Sequence, residues 1–301
     1  AAVLAAAALL SGCGRGAGPG TKDASVQVTG NFGARLYGSA VEKHVPGVET
    51  VMSLLERHFR VATRYGGGFA ESIAGHSAGS GHRDWFYYVN GIEAQKGAAA
   101  TDVHAGDHVW WDLHDWSATD SIPAVVGSYP EPFTTGIGGR RFPTLVDCAS
   151  AVQKACDAVG TALHSYGVKA ADQALGTGSG SDSLAVVVGT WSQVKGVVAA
   201  ELIAGGPRSG GVYAHFVGPS GQALELENAH GAVARTLRGS AGLIAATSEP
   251  SLGQPTWFVT GTDAAAVTAA AKAFTAAKLH DHFAVAVDGS KVIPVPLSSG
   301  S

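Results

Sequence analysis

The chain has 301 residues, of which 46% are apolar and 15% charged, and its formal net charge is −4. This composition excludes a disordered, highly charged chain, and the length is enough for two domains that each have a sizeable core. Lysine and arginine are scattered and the net charge is negative, so the sequence predicts no nucleic-acid partner.

The N-terminal ten residues are apolar, too few to cross a bilayer as a helix but typical of a signal peptide. They end in Leu10-Ser11-Gly12-Cys13, which resembles the lipobox of bacterial lipoproteins, where the cysteine accepts a diacylglyceryl group. We therefore expect residues 1–13 to be a lipoprotein signal segment with a truncated start. Cys13 is the expected lipidation site, which would anchor the protein at the extracytoplasmic face of the cell membrane. The alternatives are a plain secretory signal and an apolar tail with an incidental cysteine.

The other two cysteines, Cys148 and Cys156, form an even pair once Cys13 is set aside. Outside the cytoplasm such a pair usually forms a disulfide, which we predict here, and two buried free thiols are the alternative. Within one continuous helix the two residues would lie about 12 Å apart, too far to bond. The disulfide therefore requires Cys148 to lie before the helix and to fold back onto it.

A glycine-rich tether, residues 14–23, is followed by a predicted α+β unit with a β-grasp-like order, residues 24–116. Its pattern predicts a hairpin with a turn at 30–33, and a helix with an apolar stripe that Thr50 caps. Extended structure broken by glycines follows, and then two further strands, 84–89 and 107–116. Residues 117–143, rich in proline and glycine, are predicted to be a linker or an extended wrap.

Residues 144–297 are predicted to form a second unit of α/β or α+β character, which we assign to no family. The sequence predicts a helix over about 149–166, a buried strand at 183–191 and a hairpin whose turn is 219–221. Two strands, an Ala-rich helix capped at 262–263 that ends near Leu279, and a final hairpin with an Asp288-Gly289 turn complete the unit.

Gly75-His76-Ser77-Ala78-Gly79 matches the G-x-S-x-G pattern of serine hydrolases. That chemistry needs a strand before the serine and a helix directly after it, whereas here a glycine loop leads into an aromatic strand. We therefore predict no catalytic residue, and a serine hydrolase using Ser77 is the last-ranked alternative.

Strand alternation places His108, Trp110, Asp112 and His114 on one face of the 108–115 strand. A metal site there would need a further ligand such as His76, His82 or His104. Spacing alone defines no coordination geometry, so we predict no metal site and interpret this as a solvated polar face.

The aromatic residues at 85–88 and at 110, 111 and 116 exceed what one small sheet needs. Most are expected in the core and in packing against the other unit. Those on the second face have the flat apolar rings and polar tips that suit a planar ligand or a sugar.

Residues 25–114 resemble a bacterial domain of unknown function similar to the C-terminal domain of transcobalamin and intrinsic factor, the vitamin B12 carriers. The matching segments, in order, are "VTGNFGARLYG", "ETVMSLLERHF", "RYGGGFAESIAG", "WFYYVNG" and "VHAGDHVWWD". The resemblance implies a mainly β, ligand-carrying domain at the cell surface, with cobalamin or a similar corrinoid as the ligand. The ligand-binding positions that it implies are Trp85, Tyr87, Asn90 and Trp110.

Together these features predict a lipid-anchored, non-catalytic ligand-binding lipoprotein that needs no cofactor. The alternative is a structural or protein-interaction lipoprotein without a small-molecule ligand, in which the aromatic residues serve only the core and domain packing.

Overall fold

The structure is a computed structural model that describes residues 23–64, 67–79, 81–248 and 254–298. Within these ranges the chain is a mixed α+β protein with several sheets, as predicted. The predicted signal segment, Cys13 and the predicted tether up to residue 22 lie outside the described residues. No helix in the described part of the chain is both long and apolar enough to cross a membrane.

The first unit, residues 24–116, is built on a sheet with the strand order β2-β1-β8-β6-β7. In this sheet β1 and β8 are adjacent and run parallel to each other, whereas the other pairs of neighbouring strands are antiparallel. Its elements are β1 (Ala24–Gly30), β2 (Arg35–Glu42), α1 (Val51–His58), β3 (Val61–Arg64), β4 (Phe69–Ile73), β5 (His76–Ser77), β6 (Arg83–Val89), β7 (Ile92–Glu93) and β8 (His108–Asp115).

Helix α1 covers one face of this sheet. Its N-cap is Thr50, as predicted, whose hydroxyl accepts a hydrogen bond from the backbone N–H of Ser53 at 3.2 Å. Its apolar stripe, which includes Leu54 and Leu55, packs on Val26, Val28 and other side chains of the sheet. Burial of each such side chain stabilises the fold by about 1.5–3 kcal/mol.

Strands β3, β4 and β5 form a small sheet of their own. This arrangement differs from the single sheet that the order of elements predicted. Ala74 and Gly75 make the tight turn between β4 and β5, with φ of +51° and +85°. The turn closes β4 onto β5 locally, so this hairpin does not pair with β6.

Residues 117–143 are packed against both units. The backbone N–H of Val125 donates to Gly91 O at 2.8 Å in the first unit, and that of Val126 donates to Phe283 O at 3.1 Å in the second. Val125 and Val126 are fully buried, and Tyr129 is 4% exposed. The segment thus contacts both units, with a run of turns over residues 127–135.

The second unit is a seven-stranded sheet with the order β10-β9-β11-β16-β15-β17-β18, accompanied by a three-stranded sheet, β12-β13-β14. Its strands are β9 (Thr144–Cys148), β10 (Ala170–Ala174), β11 (Leu184–Thr190), β12 (Ala214–Val217), β13 (Ala223–Glu227), β14 (Val233–Arg238), β15 (Ala241–Thr247), β16 (Thr256–Gly261), β17 (Ala284–Asp288) and β18 (Lys291–Val295). Its helices are α2 (Gln153–Ser165), α3 (Trp191–Val194), α4 (Val198–Ala204), α5 (Pro207–Gly210), α6 (Ala264–Ala273) and α7 (Ala276–Leu279).

The seven-stranded sheet is buried on both faces. Along β11, Val186 and Val188 pack on the face that α2 and α6 cover, whereas Val187 packs on the opposite face. That opposite face is covered by α4, by the three-stranded sheet and by the first unit. Strands buried on both sides are nearly continuously apolar, which explains the run from Leu184 to Val188.

Two helix predictions need correction at their ends. The predicted helix over 149–166 begins as a 3₁₀ turn, Ser150–Val152, and is α-helical only from Gln153. The Ala-rich helix is capped by Asp263 as predicted but ends at Ala273, and the separate helix α7 ends at Leu279. The helix stops at Phe274, whose backbone leaves the helical region at ψ 70° and whose side chain is fully buried in the core.

The predicted disulfide between Cys148 and Cys156 is present, with 5.9 Å between the Cα atoms. Cys148 is the last residue of β9 and Cys156 lies in α2, so the chain folds back as the spacing required. The bond joins the sheet directly to the helix that covers it, and Cys156 is fully buried.

Replacing both cysteines by alanine, Cys148→Ala with Cys156→Ala, is expected to lower the free energy of unfolding by about 2–3 kcal/mol, the range for so short a loop. Urea unfolding of the oxidised protein and of the double variant measures the difference. Equal midpoints would contradict the prediction. Reduced wild-type protein serves as the control, because it lacks the bond but keeps both side chains.

Candidate functional site

The predicted ligand-binding aromatic residues lie on opposite faces of the first unit's sheet. Trp85 and Tyr87 point toward the α1 side, where Tyr87 stacks on Trp111 at 4.8 Å between ring centroids. The Tyr87 hydroxyl also lies 2.8 Å from Thr101 Oγ1. Trp110 points to the other face and is fully buried. The fold therefore does not bring these three rings together around one ligand.

Trp110 lies where the two units meet. Phe283, directly before β17, packs against an aromatic cup of four rings on the first unit, with ring centroids 5.2–5.5 Å away. The four rings belong to Phe32, Tyr88, Trp110 and His114. The Trp110 ring and the 280–282 loop are packed closely on both sides of Gly127. A Cβ atom added to Gly127 would lie 2.7 Å from both a Trp110 ring carbon and the His282 carbonyl oxygen, so only glycine fits there.

Asn90 is fully buried at the turn between β6 and β7, with φ of +55°. Its amide nitrogen donates to Asp107 Oδ1 at 2.7 Å and to the Gly136 carbonyl at 2.8 Å. Its amide oxygen accepts from the backbone N–H of His108 at 2.8 Å. These bonds join the turn to the start of β8 and to the 117–143 segment, a structural role.

The face of β8 that holds Asp112 and His114 was interpreted as solvated, and the structure corrects this. Asp112 is fully buried and accepts hydrogen bonds from Thr29 Oγ1 at 2.5 Å and from the backbone N–H groups of Phe32 and Gly33 at 3.0 and 2.9 Å. Its carboxylate also lies 2.9 Å from His114 Nδ1. The second unit covers this face, and sequence alternation could not show that. In the described ranges no group of three His, Cys, Asp or Glu residues is placed to hold a metal ion.

Ser77 is exposed on the short strand β5, and the next named element along the chain is the strand β6. It lies on a hairpin at the surface of the small sheet, paired with Ser72. This arrangement differs from the strand-serine-helix order of a nucleophile elbow.

A cleft of about 640 Å³ opens beside the aromatic cup, between the two units. We call it the central cleft. On one side its walls are the β1–β2 turn, the start of β6 and the end of β8. On the other side they are β14 with residues 229–230 before it, His282, and β18 with the residues after it. The lining residues are Asn31, Phe32, Ala34, Arg83, Asp115, Ala229, His230, Arg235, His282, Lys291, Val292, Ile293, Pro294, Pro296, Leu297 and Ser298.

The charges in the central cleft are mainly positive. Arg83, Arg235 and Lys291 line it together with a single carboxylate, Asp115. That carboxylate is already engaged, since it accepts from the Ser117 backbone N–H at 2.8 Å. Arg235 and Lys291 make no side-chain hydrogen bond or ion pair within the described residues. The cleft therefore has two cationic side chains that a bound anion could satisfy.

A smaller pocket of about 340 Å³ lies next to the central cleft, and His230 lines both. We call it the Glu227 pocket. Its residues are Ala118, Ala204, Gly205, Gly206, Pro207, Arg208, His215, Glu227, His230 and Gly231. His215 Nδ1 lies 2.8 Å from Glu227 Oε1, and this hydrogen bond is the main cause that raises the pKa of His215 above its usual value.

Residues 49–115 match the model of a family described as a domain of unknown function, DUF4430. The match runs from the residue before the α1 cap to the end of β8, so it covers one wall of the central cleft in part and none of the second unit. No curated protein matches the chain.

The residues that line the two pockets were not among the predicted sites. Arg235 lies on β14, a strand that was not predicted. His215 is paired with Glu225 across the β12–β13 hairpin and is hydrogen-bonded to Glu227 on the same strand as Glu225. The hairpin itself was predicted, so its alternation could have placed His215, Glu225 and Glu227 on one face. His215 and Glu227 lie near the 204–208 segment only in the folded chain, and no sequence pattern in either segment predicts this contact.

His108 connects the first unit to the 280–282 loop of the second. Its Nδ1 lies 2.9 Å from Ser25 Oγ. Burial, and then the neighbouring His280 ring, lower the pKa of His108 to about 4, although the Asp281 carboxylate opposes the shift. Below its ordinary pKa near 6.5, the unfolded chain thus binds a proton that the folded protein does not bind.

We expect His108 to make the free energy of unfolding decrease as the pH falls from about 6.5 to about 4. In His108→Gln this part of the pH dependence should disappear, because no group titrates at that position. Urea unfolding at several pH values between 4 and 7.5 measures the slopes. Ser25→Ala is the matched control, which loses the hydrogen bond but keeps the imidazole and should keep the slope. Equal slopes in wild type and His108→Gln would refute the assignment.

Proposed function

We propose that this protein is a lipid-anchored extracytoplasmic binding protein that holds a small molecule in the central cleft and does not catalyse a reaction. The observation that supports this most directly is the cleft itself. Its volume of about 640 Å³ lies within the range of small-molecule sites, and both units contribute to its walls.

The lining of the central cleft indicates the kind of ligand. Arg83, Arg235 and Lys291 favour an anionic group, and guanidinium groups bind carboxylates and phosphates by paired hydrogen bonds. The lining also has apolar side chains, among them Ile293 and Leu297. The proposed ligand is therefore amphipathic, with an acidic group attached to an apolar body.

A corrinoid is a candidate of this kind, because cobalamin combines a phosphodiester with a large, flat macrocycle. The order β2-β1-β8-β6-β7, with β1 parallel to β8 and a helix packed on one face, supports a β-grasp relationship to the transcobalamin C-terminal domain. We place the ligand at the central cleft rather than at Trp85, Tyr87, Asn90 and Trp110, since none of these four lines it.

The lipobox at Cys13 supports the membrane anchor, and the disulfide supports a location outside the cytoplasm. Disulfides persist in oxidising compartments and are rare in the cytosol. The Cys148–Cys156 bond therefore agrees with an extracytoplasmic protein.

The aromatic cup favours a second candidate function, a structural or interaction lipoprotein without a ligand. Its rings are occupied by Phe283, so domain packing alone accounts for Trp110 and Tyr88. Binding at the central cleft separates the two candidates.

If the central cleft binds an anionic ligand, cyanocobalamin or inorganic phosphate should raise the thermal unfolding midpoint of the purified protein, and cyanocobalamin should also change its absorbance. The double variant Arg235→Ala with Lys291→Ala should weaken that binding at least tenfold, because charge-assisted hydrogen bonds are lost. Arg238→Ala is the matched control, an exposed arginine on the same strand outside the lining. With no response to either probe, the structural candidate is favoured.

The anchor is tested by metabolic labelling of producing cells with an alkyne analogue of palmitate. We expect incorporation into the wild-type protein and none into Cys13→Ala. The double variant Cys148→Ala with Cys156→Ala, which keeps Cys13, should incorporate the label. Labelling that survives Cys13→Ala would contradict lipidation at this residue.

A further inference from the structure

Glu227 is a buried carboxylate with one oxygen unused. Its side chain is 5% exposed, and it belongs to strand β13 at the wall of the Glu227 pocket. Oε1 is held by His215, whereas the buried Oε2 has no hydrogen-bond partner within the described residues. A buried acceptor without a partner is costly, so this oxygen marks a position for a donor that the described part of the protein does not supply.

Two glycines of the pocket lining flank the Glu227 carboxylate. Gly206 and Gly231 lie in the pocket lining, with φ of +66° and +74°. A Cβ on Gly206 would lie 3.4 Å from Glu227 Oε1, and a Cβ on Gly231 would lie 3.8 Å from Oε2. Because both positions lack a side chain, the Glu227 carboxylate lies against bare backbone on this side.

His215 does not supply the missing donor. Its Nδ1 is bonded to Glu227 Oε1, and its Nε2 lies 3.3 Å from Glu225 Oε2. Both ring nitrogens are therefore engaged, and His215 positions the Glu227 carboxylate from one side only.

The rim of the pocket has the opposite charge. Arg208 is exposed and lines the pocket, and its side chain has no ion pair or hydrogen bond within the described residues. A carboxylate at the base and an unpaired guanidinium at the rim are complementary to a ligand with an ammonium group at one end and a carboxylate at the other.

We propose that the Glu227 pocket binds a small amino acid, with its ammonium group on Glu227 Oε2 and its carboxylate at Arg208. A primary ammonium group offers three donors and a positive charge to an acceptor-only carboxylate. A volume of about 340 Å³ suits a ligand of this size. This site is separate from the central cleft and does not depend on the function proposed for that cleft.

Titration calorimetry of the full folded chain with L-alanine tests the proposal, with ethanolamine and propionate as probes that each keep one end. We expect saturable binding of L-alanine, weaker binding of ethanolamine and none of propionate. Glu227→Gln should weaken L-alanine binding at least tenfold. Arg208→Ala should weaken L-alanine binding but leave ethanolamine binding unchanged.

Glu225→Gln is the matched control, because it removes a carboxylate that also contacts His215 but does not line the pocket. We expect it to bind L-alanine within threefold of wild type. If Glu227→Gln does not fold, Ala204→Leu replaces it, since this exposed lining residue fills the pocket with apolar bulk and should abolish binding.

The proposal is overturned if wild type shows no saturable binding of L-alanine, or if the folded Glu227→Gln protein binds it as wild type does. Binding of L-alanine that Arg208→Ala leaves unchanged overturns the assignment of the carboxylate end. The double variant Arg235→Ala with Lys291→Ala, which alters only the central cleft, should bind L-alanine as wild type does. A failure of the function proposed for the central cleft can therefore be distinguished from a failure of this proposal.

Discussion

The insertion of Phe283 into the aromatic cup is the contact on which the arrangement of the two units depends. The cup side chains of Phe32, Tyr88, Trp110 and His114 all come from the first unit, and Phe283 comes from the second. Each of these side chains is buried, so the contact removes a large apolar area from water. Both faces of the first unit's sheet are thereby covered, one by α1 and the other by the second unit.

Hydrogen bonds beneath the cup hold its rings in place. Asp112 accepts from Thr29 and from two backbone N–H groups in the β1–β2 turn, and Trp110 Nε1 donates to the same Thr29 hydroxyl at 2.6 Å. The turn that presents Phe32 to the second unit is thus tied to β8. The same turn, with Asn31 and Ala34, forms one wall of the central cleft. Domain packing and the proposed binding site therefore share one structural support.

Local patterns predicted the elements that close on near neighbours in the chain. The β1–β2 hairpin, the Thr50 cap, the final hairpin and the Cys148–Cys156 disulfide follow from turn chemistry, capping and cysteine spacing. The turn of the final hairpin is Gly289-Ser290, one residue later than the predicted Asp288-Gly289. Strands β9, β10 and β14 were not predicted, because they are short and their pairing is decided by sheet neighbours. Of the pocket residues, neither Glu227 nor Arg235 was predicted, since each meets its neighbours only through tertiary contacts.

The sequence by itself determined the mixed α+β class, the alternation that sets Trp110, Asp112 and His114 on one face of β8, and the pairing of the two cysteines. These properties depend on periodicity and spacing, which are local. Only the tertiary structure decided what covers that face. The same side chains would suit a solvated surface or a buried one, and the second unit buries them because Phe283 and Tyr213 pack against the β1–β2 turn. The central cleft, which Phe32 also lines, lies beside that contact, so its position is a property of the assembled fold.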